Sequence, residues 1–189
     1  MTEPTKISIK NMVCARCIRV VEEELLKAGI EVQNVKLGEA DVVLKSEGEL
    51  EKIRKVLKEA GFDLADSRRA QIIEKIRNII VTQIHHNDNV EKINFSELLS
   101  NELALDYHYI STLFSQQEGM TIEKYIILQR IERVKELLKY DELSLSEIAF
   151  KTGYSSVAHL SNQFKKVTGL SATEYKKLRD ADRRALDEI

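Results

Sequence analysis

Two cysteines three positions apart, Cys14 and Cys17 in the stretch Asn11-Met12-Val13-Cys14-Ala15-Arg16-Cys17, are the residues whose type and spacing point most directly to chemistry. That spacing is about one helical turn, so the two sulfurs can converge on one ion. Cu(I) accepts two thiolates and is the favoured guest. Zn(II) is the second candidate, but it usually takes four ligands and needs water, a histidine or a second chain to complete them. The same pair can instead work as a thiol redox sensor by closing to a disulfide. So few cysteines, so closely spaced, argue for a reducing cytoplasm rather than a disulfide scaffold. A helix N-terminus beside them, with Arg16 and Arg19 near, predicts a lowered thiol pKa.

The elements that must position this pair are legible on either side. Lys6 to Lys10 alternates polar and apolar residues, as a half-buried strand does. Ile18, Val21 and Leu25 follow at helical spacing and Gly29 marks the end. Val32, Val35 and Leu37 suggest a second strand, Val42 to Leu44 a third, and Phe62 to Leu64 a short fourth. Leu50, Ile53 and Leu57 line a helix between the last two, ending at Gly61. The order βαββαβ predicts an α+β, ferredoxin-like domain over residues 1–66. The cysteines then lie where the first strand's loop enters the first helix.

The Met12-Val13-Cys14-Ala15-Arg16-Cys17 stretch at such a junction resembles the M-x-C-x-x-C motif of heavy-metal-associated domains, the fold of copper chaperones, across about residues 5–66. The resemblance implies that Cys14 and Cys17 are the ligands, that Met12 is buried under the loop, and that Phe62 packs near the metal. This sequence departs from that family at Asn11, where glycine is usual, and at Val13, where a polar residue is usual.

Composition bounds the rest. The chain has 189 residues, 43% hydrophobic and 32% charged, with a single proline (Pro4) and no tryptophan, which suggests a mostly helical soluble protein of two small domains. No apolar run approaches the roughly 20 residues of a membrane span, and the first ten residues lack the apolar core of a secretory signal. The net charge of −2 gives no general attraction to nucleic acid.

From Asp66 the period becomes helical, with Ile72, Ile73, Ile76, Ile79, Ile80 and Ile84 on one face, Ser67 as a cap, and the His85-His86 pair at the end. The histidines suit a helix C-terminus better than a metal site. Beyond an Asn87-Asp88-Asn89 turn, residues 94–125 match residues 144–175 at a constant offset of 50. Glu97 aligns with Glu147, Ser111 with Ser161, Phe114 with Phe164, Gly119 with Gly169 and Tyr125 with Tyr175. This internal repeat predicts two copies of a helix-turn-helix. In the second copy Ser144 and Glu147 form a capping box, Gly153 makes the turn, Ser155 or Ser156 caps the next helix, and Gly169 closes it. The inward positions of that helix are expected at His159 or Leu160, Gln163 or Phe164, and Val167. In the first copy Ala104 and Leu105 replace the turn glycine, so the register is expected to slip by one upstream of Asp106. Between the copies Thr121 caps a helix of about 18 residues, or roughly 27 Å, comparable with the ~34 Å between successive major grooves on one DNA face.

This pattern resembles the DNA-binding domain of the AraC family of transcription regulators, across about residues 68–180. It is carried by Tyr109-Ile110-Ser111, Phe114, Gly119, Tyr125, Arg130, Ser146 to Ala149, Gly153-Tyr154, Phe164 to Lys166, Thr168-Gly169 and Tyr175. The resemblance implies recognition helices within 106–118 and 156–168. It places Tyr107, His108, Ser111 and Thr112 of the first, and Val157, Ala158, Ser161 and Asn162 of the second, toward the groove. The family often has arginine at Thr112 and Asn162. Asparagine pairs with adenine and small apolar groups touch the thymine methyl, so an A·T-leaning site is expected. Residues 67–189 carry 18 basic and 18 acidic side chains. The basic ones gather late, at Lys165, Lys166, Lys176, Lys177 and Arg179, so phosphate grip is expected from the second copy. His108 and His159 are expected to be a surface residue and a partly buried one.

The sequence thus predicts a cytoplasmic, metal-responsive transcription regulator: an α+β domain (1–66) before an all-α double helix-turn-helix domain (67–189). Its partners are double-stranded DNA and RNA polymerase, without a membrane, and it acts as a monomer or weak dimer. A metal carrier with a helical protein-interaction module is the competing reading. Beyond the cysteine pair no paired groups suggest an enzyme.

Overall fold

The computed structural model describes residues 4–46, 48–87, 93–177, 186 and 189. Among these the chain forms two compact units, residues 1–78 and 79–189. That division falls inside a helix rather than at the expected 66/67 boundary.

In the first unit, strands β1 (Thr5–Lys10), β2 (Glu31–Lys36), β3 (Glu39–Val43) and β4 (Asp63–Leu64) alternate with helices α1 (Ala15–Lys27) and α2 (Gly48–Glu59). The sheet order is β2-β3-β1-β4 with every neighbouring pair antiparallel. Ile7 and Ile9 of β1 and Ala40 and Val42 of β3 alternate onto the helix side. There they meet Val21 and Leu25 of α1 and Ile53 and Leu57 of α2 in one core. β2 explains a detail the sequence leaves odd. Val32 and Val35 are three apart, which puts them on opposite faces of a regular strand. An irregularity between Val32 and Asn34 lets Val32 pair with Val42 and Val35 with Ala40, so both pack on the same core. Helix α3 (Arg68–Val81) follows, with Ser67 Oγ accepting from Ala70 N at 3.1 Å as expected.

The second unit contains α4 (Phe95–Leu103), α5 (Tyr107–Glu118), α6 (Ile122–Tyr140), α7 (Leu145–Lys151), α8 (Val157–Thr168) and α9 (Ala172–Lys177). The repeat is reproduced cap by cap. Asn94, Asp106 and Thr121 close the N-termini of α4, α5 and α6, and Ser144, Ser156 and Ser171 do the same for α7, α8 and α9, each 50 residues on. Ser144 and Glu147 form the predicted reciprocal box, with Glu147 accepting from Ser144 N at 2.8 Å. Phe114 and Tyr125 meet at 5.5 Å between ring centroids, and their counterparts Phe164 and Tyr175 at 5.4 Å. Because Asn94 and Asp106 both keep the offset, the register does not slip. What moves is the turn residue with positive φ, which is Ala104 (φ 50°) in the first copy and Gly153 (φ 74°) in the second. In α8, Leu160 and Phe164 are the buried residues, whereas Val167 is exposed, against expectation.

The isoleucine face of α3 is buried at Ile73, Ile76 and Ile80. The helix then widens into one π-helical turn (Thr82–His86), which buries Ile84 and His85. His85 Nε2 lies 2.9 Å from Gln129 Oε1 on α6, and Gln129 Nε2 donates to Tyr125 Oη at 3.1 Å. His85 is therefore a satisfied core residue. Burial pushes its pKa down to about 4, with Arg133 and His86 acting the same way and Glu136 against them. The unfolded chain binds a proton near pH 6.5 that the folded chain refuses until about pH 4. Stability from this residue is thus complete above pH 6.5 and is lost as pH falls from there to about 4, by on the order of 3 kcal/mol. Urea unfolding from pH 7 to 4.5 should show that decline in the wild type, and His85→Asn should flatten it. An equal decline in both proteins refutes the assignment.

Candidate functional site

The expected reading positions can now be placed. On α5, His108 and Thr112 are exposed while Tyr107 and Ser111 are half-buried. On α8, Ala158 and Asn162 are exposed while Val157 and Ser161 are half-buried. The four positions in each helix follow i, i+1, i+4, i+5 spacing, which is one face of a helix. Burial therefore agrees pair by pair across the repeat, although only the Ser111 and Ser161 pair keeps its residue type. Lys165 and Lys166 are exposed in the last turn of α8, and Lys177 is exposed in α9. Lys176 pairs with Asp141, so it is not simply available to phosphate. Arg179 lies outside the described residues. His108 is on the surface as expected. His159 is exposed rather than partly buried, its Nδ1 3.1 Å from Ser155 Oγ and its ring edge-on to Tyr154 at 5.3 Å.

One participant is absent from the sequence reading. Tyr107 Oη donates to Glu123 Oε1 of α6 at 2.7 Å. Burial, then the hydrogen bond to Glu123, push the Tyr107 pKa up, and the same bond holds the Glu123 carboxyl below its usual range. The repeat could not reveal this pair, because the corresponding positions in the second copy are Val157 and Thr173.

At the other end of the chain Cys14 and Cys17 are half-buried free thiols with Sγ atoms 3.5 Å apart. Cys14 is the N-cap of α1, and its carbonyl accepts from Cys17 N at 2.9 Å, which fixes one helical turn between the sulfurs. Met12 is buried, and Met12 and Phe62 belong to the core against which Cys17 packs. Asn11 adopts φ 67°, a conformation that glycine takes freely and asparagine tolerates. The expected fall in thiol pKa is not found for Cys17: burial outweighs the Val13 and Cys14 backbone bonds and pushes it up. Among the described residues no group of three His, Cys, Asp or Glu side chains converges. Two thiols one helical turn apart would suit a soft ion such as Cu(I), whereas Zn(II) would call for further ligands.

Comparison with known proteins assigns the second unit. Residues 99–178 match the family model described as a helix-turn-helix domain. The probable transcriptional regulator LumQ of Photobacterium leiognathi is 26% identical over 103 residues, 54% of this chain and 41% of that protein. The Msm operon regulatory protein of Streptococcus mutans is 26% identical over 138 residues, 69% of this chain and 46% of that protein. This chain thus spans less than half the length of these two relatives. Among solved structures, the C-terminal domain of AraT, a response regulator from Geobacillus stearothermophilus, superposes with a TM-score of 0.50 at 28% identity, covering 61% of this chain and 92% of that one. Residues 99–178 of the helical unit are thus a helix-turn-helix domain. Among the described residues no helix is long and apolar enough to cross a membrane.

If Lys165 and Lys166 grip phosphate, replacing both by alanine should weaken binding to a selected site and to random DNA by the same factor. It should also lower the slope of log K against log salt by about 1 per lysine. A loss confined to the selected site would contradict this role.

Proposed function

We propose that the chain is a cytoplasmic transcription regulator whose affinity for double-stranded DNA responds to a soft metal ion, Cu(I), held by Cys14 and Cys17. The observation that carries this reading is the pair of half-buried sulfurs 3.5 Å apart at the mouth of α1, in the same chain as a helix-turn-helix domain, which we read as AraC-type. Supporting it, β3 lies between β1 and β2 in the sheet, an order compatible with the split βαβ expected of a ferredoxin-like domain. Asn11 also has a positive φ of 67°, which glycine, usual at this position in the family that the motif resembles, adopts freely.

In this reading Cys14 and Cys17 would hold the ion as thiolates, releasing two protons, so that with Cu(I) the site would go from neutral to a charge of −1 and the loop would be tied to the first turn of α1. The α1 N-terminus and Met12 set the loop's shape. Tyr107, His108, Ser111 and Thr112 read one groove segment, Val157, Ala158, Ser161 and Asn162 the next, and Lys165 and Lys166 hold the backbone. The protein acts on RNA polymerase from a bound site as a monomer or weak dimer, and it is not an enzyme. A coupling of about 1–3 kcal/mol, or 5- to 150-fold in DNA affinity, suffices for regulation.

The short sulfur separation also favours a second reading, in which an oxidant takes two electrons and two protons from the thiols and leaves a disulfide. One experiment separates the two. The site is selected from random DNA, and its affinity is measured with reduced protein, with Cu(I), and after mild oxidation, in the wild type and in a Cys14→Ser/Cys17→Ser variant. Metal response predicts a 5- to 150-fold change with Cu(I) that the variant lacks. A change with oxidant alone moves the assignment to redox sensing, and equal affinities throughout rule out both while leaving DNA binding standing.

A further inference from the structure

The hydrogen bond between Tyr107 and Glu123 constrains what the first recognition helix can read. A phenol has one proton to donate. That of Tyr107 is engaged by Glu123 Oε1 at 2.7 Å, and Glu123 sits exposed in the first turn of α6, close to its Thr121 cap. With its proton committed, the phenol oxygen retains only lone pairs, and the ionised carboxylate beside it can likewise only accept. A phosphate oxygen also only accepts, so neither group can serve as a backbone anchor. In the major groove the donors are the exocyclic amino groups of adenine (N6) and cytosine (N4), whereas guanine O6 and thymine O4 are acceptors.

We propose that Tyr107 and Glu123 together form an acceptor-only patch on the first recognition helix, which selects an exocyclic base amine, from adenine or cytosine, and rejects guanine and thymine at that position. Glu123 is the positioning residue and Tyr107 the reader. This rests on the reading of α5 as a groove-facing helix. The second copy provides an internal contrast: Val157 and Thr173 occupy the two positions there, and a valine reads by apolar contact instead. The direction of both pKa shifts is consistent with the geometry, since a proton held more tightly on Tyr107 and a carboxylate kept ionised are what the pair requires.

The test uses the full chain and DNA selected by it from a random pool. Within the segment bound by the first copy, one position should be confined to adenine or cytosine. Purine in place of adenine, or 2-pyrimidinone in place of cytosine, removes the amine and should weaken wild-type binding five- to tenfold at that position. Whichever of the two analogues acts identifies the base. In Glu123→Ala no side-chain acceptor remains for the phenol, which is then free to donate, and guanine and thymine should become tolerated there. Tyr107→Phe should lose the sensitivity to the analogue. Unchanged helicity and unfolding midpoint in both variants confirm that the fold is kept, and the analogue measurements on the wild type need no variant. A discrete selected site whose base preferences and analogue sensitivity are the same in all three proteins overturns this inference and leaves the regulator reading intact. A wild type that selects no discrete site overturns both.

Discussion

The second unit depends on one constraint: α6 is buried on nearly every side, yet its sequence is not uniformly apolar. Ile122, Tyr125, Ile126, Ile131, Val134 and Leu138 are buried, and so are Gln129, Glu132 and Lys135. A helix enclosed in this way must satisfy its polar groups with other buried groups. Glu132 and Lys135 do so with each other at 2.7 Å, and Gln129 with His85 and Tyr125. Removing one member of the ion pair leaves a buried charge, a change that typically costs about 3–5 kcal/mol. The helix also reaches both copies. Arg130 lies over the Phe95 ring at 5.8 Å, and Lys135 Nζ over the Tyr175 ring at 5.9 Å. The two helix-turn-helix copies are consequently fixed to one rod, and the separation of their recognition helices is a property of α6.

The two copies agree where helices begin and end and where they pack. They differ where they face outward. Six N-caps keep the offset of 50, as do the buried Ile110 and Leu160, the buried Phe114 and Phe164, and the two phenylalanine–tyrosine contacts. The exposed or half-exposed pairs Tyr107 and Val157, His108 and Ala158, and Thr112 and Asn162 are all different residues. Ala104 shows how far the scaffold tolerates change. It takes a φ of 50° without being glycine, and the caps on both sides still hold the register.

Much of this was legible in the sequence because local signals and periodicity agreed. Ser144 with Glu147, Gly153 and Gly169 each state a backbone requirement that side-chain chemistry meets within a few residues. The alternation of β1 and the spacing of α1 and α2 placed the first unit's core. What escaped depends on residues far apart in the chain. The β2 irregularity, which turns Val32 and Val35 to one side, is set by pairing with β3. The burial of His85 depends on Gln129, 44 positions away. The polar residues of α6 look like a solvated face until the helices around them are in place. The Cys17 thiol follows the same rule: the helix terminus predicted one direction, and burial against the first unit's core imposes the other. The Tyr107–Glu123 pair was invisible because one copy alone has it.

The unlike faces of α5 and α8 carry a consequence for direction. Two identical reading helices related by symmetry favour a palindrome, on which a protein has no preferred heading. A single chain that holds two different readers on one rigid rod fits an asymmetric sequence in one orientation only. A second unit bound in this way has one heading along the DNA. Inverting the site reverses the complex, and polarity is encoded in the difference between two duplicated helices rather than in any additional element.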